Sequence, residues 1–308
     1  MLGVLSGFFI ISVLIAVGIA AGLTGILGPQ GRFVLNRITY FVGTPALVFT
    51  SLMDSDLSMV LSPHFAIAAI AAFMTVALTG ATAHVLLRRR PEHTLVTAVS
   101  ASMVNSANMG FPLAAYVLGD VAFALPIVLF QMALFTPMFQ FVLHAVKSGQ
   151  RPSLKAFAAN VAANPTIIAA AIGIALLAAG WSLPAFAMEP IEILGGLSIP
   201  GLLISFGMSL VASKPLAKTD GVRADVFLAS AFKLIVMPLV AFGAAAVLFG
   251  LSGHALFAAV VMAALPTAQN VYVTAAHYET AEEVSRDTAL VTSIGTMLVL
   301  LAVSPFFT

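Results

Sequence analysis

The chain has 308 residues, of which 61% are hydrophobic and 8% charged, with a formal net charge of +1. Soluble domains carry about 25% charged residues, so water cannot solvate this surface and the solvent has to be lipid. Cys is absent, which excludes a disulfide frame, a thiolate metal site and a Cys nucleophile.

A membrane span needs about 20 apolar residues. Ten stretches qualify, roughly 4–27, 33–53, 64–87, 94–118, 122–146, 163–180, 191–212, 224–249, 255–277 and 286–306. The first Lys or Arg is Arg32, so the opening stretch lacks the basic leader region of a secretory signal and reads as a retained first span. The connections are short and hold nearly all the charge. Arg32 and Arg37 fall beside the first connection, and Arg88, Arg89 and Arg90 in the third. Lys147, Arg151 and Lys155 fall in the fifth, Lys214, Lys218 and Arg223 in the seventh, and Arg286 in the ninth. The alternate connections carry Asp54, Asp56, Asp120, Glu189 and Glu192, and no basic residue. Cytoplasmic loops retain Lys and Arg. Both termini are therefore expected outside the cytoplasm, in a multi-pass protein of the cell's inner (plasma) membrane.

The chain also repeats itself. "GTPALVFTSLM" from Gly43 and "SIPGLLISFGM" from Ser198 align without gaps, Pro45 on Pro200 and Leu47 on Leu202. At nearly the same offset Pro112 falls beside Pro266. Two five-span halves follow, 1–150 and 151–308. An odd number of spans per half inverts the second half in the membrane. The expected fold is an all-α membrane protein of ten helices in two inverted repeats. Matched, Pro-interrupted segments in such a repeat point to a transporter's binding site.

Those segments are "VNSANMGFPL" in span 4 and "AALPTAQNVYV" in span 9. Proline removes a backbone donor and clashes with the preceding turn. Broken backbone at membrane depth survives only inside protein or against a water-filled cavity. Breaks are expected at Gly110–Pro112 and at Pro266–Asn270. Each would expose a half-helix amino end, where free N–H groups and a positive dipole receive an anion. Asn105, Asn108, Gln269 and Asn270 would surround it with amides, and Thr267 with a hydroxyl. The plainer account is that the prolines only kink their helices and the amides join neighbouring helices.

Lys233, in "AFKLIVMPLV", is the one basic residue deep in a span. A charge there is a functional candidate by default. It would balance an anion or cycle its proton; alternatively it snorkels to the interface or binds a helix carbonyl. Gln131 in span 5 is a further candidate, while His84 and His144 lie near span ends and read as interfacial. No Asp or Glu sits in the middle of a span, which argues against a dedicated cation site. An anion uniporter needs no such site, since one negative charge moving outward through ~100 mV gains about 2.3 kcal/mol. There is no H-E-x-x-H and no G-x-S-x-G, and no enzyme activity, metal, cofactor or nucleic-acid partner is expected.

On "GTPALVF", "NSANMGFPLA", "NPTIIAAAIG", "GGLSIPGLLISFGMSL", "FKLIVMPL" and "ALPTAQNVYVTAAHY" the chain resembles the auxin efflux carrier family, the bacterial transporters related to the plant PIN proteins. The resemblance runs the whole length. It implies helices 4 and 9 crossing at their breaks, a scaffold part and a mobile part working as an elevator, and a homodimer through the scaffold. It implies an organic anion substrate, an auxin or a small carboxylate such as malonate. It places Asn105 on a substrate-contacting Asn of the plant carriers. Val271 follows Asn270 where those relatives carry a second Pro, and the long cytoplasmic loop of many of them is reduced to 147–162.

The expected function is secondary transport of a small organic anion across the membrane. A Na⁺- or H⁺-coupled uptake symporter is the rival within transport. A membrane sensor or channel on the same fold is the rival from another class.

Overall fold

Apolar segments with no water partners have to close their backbone hydrogen bonds internally, and helices do so. The computed structural model, which describes residues 2–54, 62–149, 153–211 and 222–303, is built of helices in this way. They are α1 (Leu2–Thr24), α2 (31–53), α3 (Pro63–Leu86), α4 (Pro91–Ser102), α5 (106–118), α6 (Val121–Lys147) and α7 (Leu154–Ala162). Then follow α8 (Pro165–Ala178), α9 (Ala185–Val211), α10 (Val222–Leu248), α11 (Gly253–Ala263), α12 (Gln269–His277) and α13 (Glu282–Val303). Helices α3, α6, α9 and α10 are long and apolar enough to cross a membrane. Among the described residues the one extended pairing is an antiparallel bridge between Val104 and Thr267. Asp56, Arg151, Lys214 and Lys218, four of the charges behind the expected orientation, lie outside the described residues.

The fourth and ninth apolar stretches are each two rods, α4 with α5 and α11 with α12. The first interruption is not where the prolines suggest. Helix α4 ends at Ser102 and Met103 is extended, at φ −81 and ψ 117. Gly110 and Pro112, the expected break, lie inside α5, with Gly110 helical at φ −63 and ψ −52. The reason recurs along the chain. Helices wind into a five-residue π turn at Thr39–Gly43 before Pro45, Ser106–Gly110 before Pro112, Gln131–Phe135 before Pro137 and Phe232–Val236 before Pro238. A wider turn makes room for the ring and for the donor it lacks. These helices therefore pass through proline.

The chain divides into two compact units, each drawn from both sequence halves. Unit 1 comprises residues 1–62, 107–129 and 159–214. In it α1 packs on α9 at two glycines, where a Cβ on Gly18 would collide with the Ile204 carbonyl and one on Gly207 with the Ile15 carbonyl. Small residues at such crossings let backbones meet where lipid gives no hydrophobic drive. Helix α2 lies against α8, with Leu52 and Phe49 over Gly173. Gly43 and Ser198, counterparts in the sequence repeat, are neighbours here: a Cβ on Gly43 would sit 3.2 Å from the Ser198 Cα. Beside them the Thr44 and Ser198 hydroxyls are 3.2 Å apart.

Unit 2 comprises residues 63–106, 130–158 and 215–308, and holds α3, α4, most of α6 and α10 to α13. Phe65, Phe73, Phe130 and Phe135 interlock edge-on and stacked. At one end of α10 the fully buried Asp225 accepts from Arg89 Nη2 at 2.6 Å and Nε at 3.2 Å, with His93 Nε2 at 3.4 Å. One of the three arginines before α4 thus binds α10 to the start of α4. A buried carboxylate requires such a partner.

Candidate functional site

Both interruptions lie in unit 2 and pair with each other. Asn105 N donates to the Pro266 carbonyl at 2.7 Å, and Ala268 N to the Met103 carbonyl at 3.0 Å. The two bonds flank the Val104–Thr267 bridge, so 103–105 and 266–268 form a minimal antiparallel ladder inside an all-helical unit. This answers where the freed backbone groups go, since buried ones have to be paired.

In such a ladder the N–H and C=O of the bridged residues point away from the partner segment. Side chains meet them there. Gln131 Oε1 accepts from Val104 N at 3.1 Å, and Gln131 Nε2 donates to the Val104 carbonyl at 2.9 Å. The same Nε2 reaches Ser106 Oγ at 2.6 Å. On the other side Thr292 Oγ1 accepts from Thr267 N at 3.0 Å. Thr267 Oγ1 donates to the Ser100 carbonyl at 2.6 Å, in the last turn of α4. Gln131 is placed for this by the π turn ahead of Pro137, of which it is the first residue.

The carboxyl end of α11 is capped from two directions. Thr296 Oγ1 donates to the Ala264 carbonyl at 2.9 Å, and Lys233 Nζ to the Ala263 carbonyl at 3.3 Å. Cations and donors belong at a helix carboxyl end. Lys233 is fully buried and belongs to the π turn ahead of Pro238.

The amino end of α12 is built differently. Its cap residue is Ala268, extended at φ −69 and ψ 137, which has no side chain to bond the first N–H groups. Gln269 and Asn270 form the first turn, Gln269 half-buried and Asn270 exposed. Asn270 Nδ2 lies 3.4 Å from Thr136 Oγ1, which itself faces the Met103 sulfur at 3.7 Å. Asn105 is buried, one hydrogen bond from Pro266. An uncapped helix amino end next to carboxamides is a place for an anionic oxygen.

The sequence candidates therefore separate. The structure brings Asn105, Gln131, Lys233, Pro266, Thr267, Gln269 and Asn270 to one pair of breaks. Asn108, Gly110 and Pro112 fall in unit 1, on α5, with Asn108 half-buried. Of the two histidines, His84 is exposed in the last turn of α3, and His144 Nδ1 lies 3.5 Å from Tyr278 Oη. Sequence reasoning missed Thr292, Thr296, Thr136, Ser106 and Ser100. A signal for two of them exists: Thr288, Thr292 and Thr296 recur every fourth residue of α13, which marks one helix face. All three are fully buried.

A relative in Methanothermobacter thermautotrophicus, described as an uncharacterized transporter, is 29% identical over 247 residues, covering 77% of this chain and 76% of that protein. The membrane transport protein family matches residues 4–151 and 147–304, nearly the whole length. The chain belongs to that family of membrane transport proteins, the AEC and PIN-like carriers that its motifs resemble.

Proposed function

We propose that this protein is a secondary transporter of small organic anions, with a carboxylate held at the paired breaks. The observation that carries the reading is the amino end of α12, which has no side-chain cap and stands beside Asn105 and Asn270. In this reading the first-turn N–H groups of α12 and the two carboxamides receive the carboxylate. Gln131, Thr267 and Lys233 hold the backbone that presents them, and Gln269 lines the approach. Asn108, three residues beyond Asn105 in the same motif, is a further carboxamide for the substrate.

The ten apolar stretches act as ten spans in two inverted repeats, 1–150 and 151–308. The contact of Gly43 with its repeat counterpart Ser198 supports this, because residues on a pseudo-two-fold axis meet their own equivalents. Alternating access follows from one unit moving against the other, and each unit's mixed origin in both halves supports an elevator. The protein sits in the inner membrane with both termini outside the cytoplasm, as a homodimer through unit 1.

Proteoliposomes given radiolabelled malonate, succinate or indole-3-acetate test the reading, with potential, Na⁺ and pH gradients imposed separately. Saturable flux that follows potential alone is expected. In Asn105→Ala and Asn270→Ala, flux should fall at least tenfold while the protein still inserts and folds. Full activity in both variants would sink the site assignment.

A further inference from the structure

Lys233 is fully buried, yet among the described residues no carboxylate pairs with it. Its Nζ meets the Met237 sulfur at 2.9 Å and the Ala263 carbonyl at 3.3 Å. Ala263 is the last residue of α11, and the next carbonyl, Ala264, is taken by Thr296. The carbonyl end of a half-helix is thus buried at the break with the Lys233 amine against it. A buried charge is costly and persists where its surroundings require it.

We propose that Lys233 is a tethered cation. Its ammonium fills, from within the chain, the position at the carboxyl end of α11 that a free monovalent cation would occupy if the lysine were absent. The π turn ahead of Pro238 aims it there. The carboxyl end of α11 then needs no bound Na⁺ to remain at the break. This inference stands apart from the anion reading, because it concerns the dipole end opposite the proposed carboxylate and its test involves no anion transport.

The test is thermal melting of the purified full-length protein. Lys233→Met keeps the volume and removes the charge, and should lower the melting temperature by ~5 °C or more. Lys233→Ala leaves space as well. Ethylammonium or Na⁺ should restore about half of its loss or more, while ethanol and choline restore none, and neither wild type nor the Met variant should respond. A Met variant melting with the wild type overturns the proposal. So does an Ala variant that recovers no better with ethylammonium or Na⁺ than with choline. Should the Met variant not fold, Lys233→Arg decides. A folded Arg variant supports a requirement for charge, and an Arg variant that fails as the Met variant does overturns the proposal, because a positive charge at this position then does not suffice.

Discussion

The break after α4 and the break after α11 meet at one bridge, Val104 with Thr267, and are held by different means. The first contains no proline: Met103, Val104 and Asn105 leave the helix because Gln131 offers Val104 both a donor and an acceptor. The second contains Pro266 and is fastened residue by residue, by Thr292 on Thr267, Thr296 on Ala264 and Lys233 on Ala263. One carboxamide from α6 does for the first what two hydroxyls from α13 and a lysine amine from α10 do for the second. Helix breaking at this depth therefore follows from partners supplied by other helices, and proline is neither necessary nor sufficient for it.

This comparison predicts that the first break fails at a single residue. In Gln131→Leu the Val104 N–H and C=O both lose their partners, at about 1–3 kcal/mol each. The melting temperature should drop by about 5–10 °C, and anion flux should vanish even in protein that folds. A Leu variant that melts within a degree or two of wild type would mean that the ladder to 266–268 holds the break alone. The first break would then not depend on a side-chain partner.

The second break should bend more gently, because its load is shared. Thr292→Val removes one acceptor, that of Thr267 N, and keeps the side chain's shape. A cost of about 1–2 kcal/mol is expected, less than half that of the Gln131 variant. Thermal melting of the two side by side reads the difference. Equal losses would show that the second break also depends on one partner. Combining Thr292→Val with Thr296→Val should give more than the sum, since both hydroxyls reach the same short segment.

The same contrast shows what the sequence makes legible. Hydropathy marks every apolar stretch that folds as helix, and the carboxamides of Asn105 and Asn270 stand out because such stretches rarely hold them. The position of the first break is not legible, because its cause lies at Gln131, 27 residues further along. The motif's proline points to Gly110–Pro112, where the helix widens and continues. Pro266 does lie in its break. Pro112 and Pro266 match in spacing but differ locally: Pro266 lies in the break that the Val104–Thr267 bridge closes, and Pro112 lies inside α5. Lys233 shows a further limit. Its depth was evident, but whether it faced a ligand or a carbonyl depended on how Pro238 turns its helix.

The smallest effect should come from the residue that looked most like a breaker. Pro112 lies inside α5 behind a π turn, and Pro112→Ala returns a backbone donor to a helix already formed around its absence. With Met103–Asn105 still held by Gln131 and Pro266, the break has no reason to move. The expected stability change is below about 1 kcal/mol, with anion flux within about twofold of wild type. Proteoliposome flux beside a melting curve measures both. A loss of flux as deep as that of Asn105→Ala, without a loss of stability, would return Pro112 to the working break. The π turn would then be a hinge that α5 needs during transport, and not merely the way a helix accommodates its proline.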